Sequence, residues 1–230
     1  TDCDQRARRP VMHLVEGQIT GFTDPAIELT AGVIDGRDVL VLHGVEPDDR
    51  WRTFTSTVVD LVVDAGVTLV VGMGAYPAAV PHTRAPRLSI TSAAAELVER
   101  HDLDTATLDV PAGVAALIEH EAFQRGIPSM ALWAQIPHYT SGMPYPAASV
   151  ALLEQLGRAA GARIDVTALR EDAIAVRGRI DQLVSQRSDH AELVARLEDH
   201  YDASARADDT VPSGDELAAE LEDFLRRLDE

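Results

Sequence analysis

DVLVLHGVEPDDRWRTFTSTVVDLVVDAGVTLVVG, residues 38–72, carries a strand, a helix and a second strand in succession. Residues 38–43 (DVLVLH) are a nearly continuous apolar run, the pattern of a strand covered on both faces. From 48 to 65 the spacing turns helical. Phe54, Val58, Leu61 and Val62 fall at i, i+4, i+7 and i+8 on one face, and Gly66 stops the helix. Residues 67–72 (VTLVVG) return to the pattern of a buried strand. A strand–helix–strand unit of this size predicts parallel strands joined by a right-handed crossover.

The same alternation extends both ways. Upstream, residues 11–16 (VMHLVE) read as a short strand ended by Gly17, and 27–34 (IELTAGVI) as another before the Asp35-Gly36 turn. Downstream, 86–90 is a short strand. Ser92 is placed to cap a helix over 93–100, with Glu96 nearby. Pro111 opens a helix over 111–125 that Gly126 ends. Residues 128–134 (PSMALWA) form a third buried strand, and 146–160 a helix ended by Gly161. The expected fold is α/β with a mainly parallel sheet.

Past residue 165 no buried strand is visible. Residues 168–200 keep helical spacing, with a break expected near Gly178, and 202–213 form a polar linker. Ser213 caps a last helix, Glu216 completes its capping box, and Leu217, Leu221, Phe224, Leu225 and Leu228 make its apolar stripe. Residues 1–165 are therefore expected as the α/β domain and 166–230 as an acidic helical region. Residues 186–230 hold 5 Arg and 14 Asp or Glu, a balance of −9, which reads as the solvated face of amphipathic helices.

Composition removes several function classes. The chain has 230 residues, is 46% hydrophobic, and has a net charge of −18 from 20 basic and 38 acidic residues. That charge disfavours nucleic acid and anionic membrane surfaces as partners. Aromatics at 4% are too sparse for a base-stacking platform. A single cysteine, Cys3, excludes a disulfide framework and a Cys-rich zinc site, and makes a reducing cytoplasm the default location. No run of 18 apolar residues marks a membrane span. All basic residues are Arg, and neither Lys nor Asn occurs, so a P-loop lysine and a pyridoxal-phosphate Schiff base are impossible. The chain starts at Thr1 and not at Met, so either an N-terminal segment is missing from it or the protein lacks one, and a signal peptide is not judged from it.

In open α/β sheets, ligands bind beyond the carboxyl ends of the strands. Three buried strands run into loops with chemistry to offer. The first carries His43, Glu46, Arg50 and Trp51; the second Gly72-Met73-Gly74, then His82, Thr83 and Arg84; the third Trp133, His138 and Tyr139. In a parallel sheet all three loops lie on one edge. Histidine with glutamate does acid–base work near neutral pH, and Arg50 or Arg84 can hold an anion by a bidentate fork. Blander roles stand beside these. His43 fits a satisfied strand end, Trp51 and Trp133 fit core packing, and Gly72-x-Gly74 lacks the third glycine of a dinucleotide fingerprint. His43, His82, His138 and Glu46 are feasible metal ligands without a ligand spacing, and no metal or other cofactor is expected.

Four stretches taken in order resemble the proteasome-assembly-chaperone-like family, in its bacterial, actinobacterial-type members. They are LHGVEPDDRWRTF (42–54), VVGMGAYPAAVPHTRAP (70–86), PAGVAALIEHEAFQRGIPSMALWAQIPHY (111–139) and PYPAASVALLEQL (144–156), with SGDELAAELEDFLRRL (213–228) extending the match. The resemblance implies a three-layer α/β/α sandwich of the nucleoside-phosphorylase-like type and homo-oligomers. Eukaryotic and archaeal members assist proteasome assembly; the bacterial ones have no established activity. Some carry an ATP-grasp label, against which the absence of lysine argues. Members usually begin with a strand and a Gly-Trp-Asn-Asp-Ala-Gly-like loop ahead of the segment matched by Arg9-Pro10. The hydrophobic–Tyr–X ending that archaeal-type relatives use to reach proteasome subunits is replaced here by Leu228-Asp229-Glu230. The resemblance implies an oligomeric interaction scaffold with proteasome-related protein partners. The rival reading is a nucleoside-like ligand binder or hydrolase at the carboxyl edge, and the two differ in whether the candidate residues share one pocket.

Overall fold

The computed structural model describes residues 9–140 and 142–209. The helix expected from Ser213 lies outside the described residues. Two antiparallel hairpins come first: β1 (Val11–Val15) with β2 (Gln18–Thr23), and β3 (Ile27–Ile34) with β4 (Arg37–Gly44). Then follow α1 (Trp51–Asp64), β5 (Val70–Ala78), β6 (Leu88–Thr91), α2 (Ala95–His101), α3 (Val114–Gln124) and β7 (Ser129–Pro137). The helices α4 (Pro146–Ala160), α5 (Thr167–Ser185) and α6 (Ser188–Asp209) complete the order. β2 has no counterpart in the sequence reading.

The quoted strand–helix–strand stretch does not close into a parallel unit. β4 pairs with β3 and leaves β5 to pair elsewhere. The cause is local. Asp35 and Gly36 both take positive φ, 50° and 77°, and join Ile34 to its partner Arg37 through a two-residue turn. Such a turn matches the right-handed twist of an antiparallel hairpin, and Asp-Gly is among the strongest signals for it. Glu16-Gly17 does the same between Val15 and Gln18. The expected mainly parallel sheet is thus corrected. The described sheet of the body is β5-β7-β6, with β5 parallel and β6 antiparallel to β7. β4 is also not covered on both faces; its apolar run stands in an exposed hairpin.

β7 is the buried centre. Met130, Leu132 and Ala134 point to one face, where they pack with Ile90, Ala94 and Leu97 and with Ala148 and Leu152 of α4. The opposite face meets α3 and, through it, α1: Val58 and Val59 of α1 pack with Ile118 and Ala122 of α3 and with Ile127. Helices therefore cover both faces of this small sheet. Other boundaries moved for identifiable reasons. α3 opens at Val114 and not Pro111, because the Glu46 side chain accepts the Val114 N–H. Ser92 accepts the Ala94 N–H and donates to the Ser129 carbonyl, so it ties the strand exit to β7 ahead of α2. α5 passes through Gly178 unbroken, and the chain turns at 186–187, where the Arg187 N–H bonds the Val184 carbonyl. α6 then runs on to Asp209 through the first part of the expected linker.

Leu132 is fully buried in the larger cluster, whereas Ile174 on α5 is 73% exposed. Leu132→Ala is expected to cost about 3 kcal/mol of unfolding free energy and Ile174→Ala less than about 0.5 kcal/mol. Urea titration at constant m-value checks both.

Candidate functional site

The eleven candidate residues do not meet in one place. His43 stands on β4 opposite Glu28, its Nε2 3.7 Å from the carboxylate, both groups more than half exposed. Glu46 caps α3, an anion at the positive end of a helix. Arg50 is the left-handed N-cap residue of α1 (φ 53°), and Trp51 donates its indole N–H to the Pro47 carbonyl. Together they fix the turn into α1. Trp133 lies flat over Gly74 on the neighbouring strand. A Cβ at Gly74 would sit 2.4 Å from the ring, so glycine is required there by the indole and not by a ligand. The Trp133 N–H reaches Thr91 Oγ1 at 3.2 Å.

The second and third loops do converge, and what they bind is the chain itself. The His82 side chain is 1% exposed. Its Nε2 lies 2.9 Å from Asp181 Oδ1 on α5, and its Nδ1 2.7 Å from the Tyr139 hydroxyl. The His82 backbone N–H also donates to that hydroxyl at 2.9 Å. With Nε2–H given to Asp181, Nδ1 accepts the phenol proton, and the hydroxyl is satisfied as donor and acceptor. Burial, with Glu198 and Asp181 nearby, holds the Tyr139 phenol above its usual range despite the His82 N–H. That is opposite to what a nucleophile or base needs. His138 stacks edge-on against Tyr139, centroids 5.4 Å apart, with Nδ1 3.4 Å from the Ala78 carbonyl.

The next residues continue the grip on α6. Thr83 donates to Glu198. Arg84 forks onto Asp202 at 2.9 and 2.8 Å and reaches Glu198 at 3.2 Å. The Asp202 carboxylate raises the Arg84 guanidinium above its usual value. Arg87 stacks on the Tyr201 ring at 4.2 Å and bonds the Tyr201 carbonyl at 3.0 Å and Ser204 at 2.9 Å, while the Tyr201 hydroxyl returns to the Ala85 carbonyl. Arg87 and Tyr201 had no place among the sequence candidates. The i, i+3, i+4 spacing of Glu198, Tyr201 and Asp202 on one helix face was the available signal.

Glu119 on α3 was also missed. It is 9% exposed, and its Oε1 has no hydrogen-bond partner. The carboxyl lies against Gly72, where a Cβ would come within 2.2 Å of Oε1. Burial pushes its pKa up to about 7. Among the described residues no group of three or more His, Cys, Asp or Glu is arranged to hold a metal ion.

Glu119 makes stability depend on pH. Between its ordinary value of 4.5 and about 7 the folded state binds more protons than the unfolded one, so stability falls as pH rises through that window. Above pH 7 the full penalty, about 3 kcal/mol, is present. Glu119→Gln is expected to raise stability at pH 8 by roughly that amount and to change little at pH 4.5. Urea melts at the two pH values check this; parallel pH slopes for variant and parent exclude it.

Comparison with known proteins sets this geometry in a family. The model of the PAC2 family matches residues 1–184. A Mycobacterium tuberculosis protein of unknown function, Rv2714, is 34% identical with a TM-score of 0.84, over 90% of this chain and 70% of that one. A Streptomyces avermitilis PAC2 family protein is 34% identical (TM-score 0.71; 81% and 79% covered). The M. tuberculosis proteasome-assembly chaperone homologue Rv2125 is 31% identical (TM-score 0.72; 81% and 80% covered). No curated protein matches. The sequence resemblance, the solved relatives and the family model agree: this chain belongs to the PAC2 family.

Proposed function

We propose that the chain is an assembly-chaperone-like interaction scaffold that works as a homo-oligomer in the cytoplasm on protein partners related to the proteasome. The observation that carries this reading is the 31% identity to a proteasome-assembly chaperone homologue over four-fifths of both chains. Its architecture is read as a three-layer α/β/α sandwich of the nucleoside-phosphorylase-like type. Residues 1–165 form the interaction unit and 166–230 its helical region.

The geometry agrees with the reading in two ways. First, the residues that a ligand-binding or hydrolase reading would need are spread over a hairpin, two helix starts and an internal clamp. The residues that do meet are saturated by one another, and that favours the scaffold over the nucleoside-binding alternative. Second, the hairpins offer contact surface. Among the described residues, thirteen of the 22 large apolar residues that stand exposed lie between Val11 and Val45. On one face of β3–β4, Ile27, Leu29 and Val33 alternate into register with Leu40 and Leu42. An isolated two-stranded hairpin is marginal in water, and an apolar face of this extent marks an interaction surface. No described helix is long and apolar enough to cross a membrane.

Light scattering on the eluting protein is expected to give a multiple of 24.8 kDa. Leu29→Glu with Leu42→Glu, a facing pair on the apolar side, should return it to the single-chain mass with unchanged far-UV dichroism. Affinity capture at physiological salt should retain proteasome-related proteins, and the double variant should lose them. A parent protein of single-chain mass that recovers only general chaperones overturns the proposal.

A further inference from the structure

We propose that α6 is a releasable arm and that the loop His82–Arg87 is its latch. α5 and α6 form a helical hairpin, but they are held to the body by different physics. α5 buries Val176 and Ile180 and packs along α4. α6 packs its backbone along α5 and buries Val194 and Leu197. Its hydrogen-bonded link to the sheet body runs through Thr83, Arg84, Ala85 and Arg87: a two-carboxylate fork, a hydroxyl bond, a guanidinium on a ring, and one phenol bond to a carbonyl.

These contacts are directional and partly wet. The side chains of Arg84, Glu198 and Asp202 are each about one-third exposed. Charged contacts at that exposure weaken as salt shortens the screening length from roughly 10 Å at 0.1 M to 3 Å at 1 M. The other side of the loop is fixed. The Arg87 carbonyl accepts the N–H of Gln135 on β7, and His82 is locked between Tyr139 and Asp181. When α6 leaves, the loop therefore keeps its shape and α5 stays docked. What is uncovered is a Pro-flanked loop with two guanidiniums, Arg84 and Arg87, in a chain of strongly negative charge. The turn at 186–187 is the hinge. This device is independent of which partner the scaffold holds.

Amide hydrogen exchange on the full chain tests it. In the parent protein, raising NaCl from 0.1 M to 1 M should speed exchange of residues 188–204 about tenfold, with α5 and β7 unchanged. Arg84→Ala should do the same at 0.1 M, and Arg84→Glu combined with Asp202→Arg should restore slow exchange. Retained protection of β7 shows that each variant folds, and the salt series needs no variant at all. The proposal stands only if salt and Arg84→Ala each loosen α6 alone. If α6 is indifferent to either, or if α5 and α6 loosen together, it is overturned.

Discussion

A strand buried on both faces must pair both of its edges, because water is not there to satisfy its backbone. β7 is that strand here. β5 takes one edge in parallel and β6 the other in antiparallel fashion. Its side chains alternate between a cluster under α2 and α4 and a face under α3. Everything else in the body is positioned from it. Gly72 and Gly74 on β5 are glycine because Glu119 and the Trp133 ring occupy the space their side chains would need. The exit of β7 then delivers His138 and Tyr139 to the place where the latch loop is anchored.

The loop after β5 shows how polar residues can be spent on architecture. Histidine, threonine, arginine and tyrosine close together look like chemistry in a sequence. In the structure each is completed by an intrachain partner: Asp181 for His82, Glu198 for Thr83, Asp202 for Arg84 and the His82 backbone for Tyr139. A catalytic set needs at least one group left over for the substrate. A clamp needs none, and this set has none over among its hydrogen bonds. The acidic character of the C-terminal half follows from the same fact. Two of its carboxylates, Glu198 and Asp202, face Arg84 of the body, and Asp181 faces His82, so the region is not only a solvated surface.

Much of the secondary structure was legible because its signals are local. β3 was read over 27–34 and α4 over 146–160, where alternation or helical spacing ends at a glycine or proline. The strand within PSMALWA was legible from its unbroken apolar run. What was not legible is long-range. Periodicity does not say which strand pairs with which, and residues 38–43 look the same whether covered or not. The Asp35-Gly36 turn, both residues at positive φ, outweighs the crossover pattern and pairs β4 with β3. The Glu46 cap on Val114 spans 68 residues and the Arg84–Asp202 fork spans 118. No local window contains such pairs. The convergence of all three carboxyl-edge loops depended on β4 lying in the parallel sheet; with β4 in a hairpin, only the loops after β5 and β7 meet.

The molecule is therefore unevenly satisfied, and the unevenness says where function lies. The body fills both faces of β7 and pairs the charges of the loop 82–87 internally. Each hairpin pairs its own two strands and leaves apolar side chains out: Val11, Leu14, Ile19 and Phe22 on one, and Leu29, Val33 and Leu42 on the other, remain open to solvent. Under the proposed scaffold role, these open apolar faces are the surface offered to other proteins. The buried carboxyl of Glu119 on α3, whose Oε1 has no hydrogen-bond partner, is pressed against Gly72 of β5 with no second titratable group shifting it. Its burial therefore acts on stability.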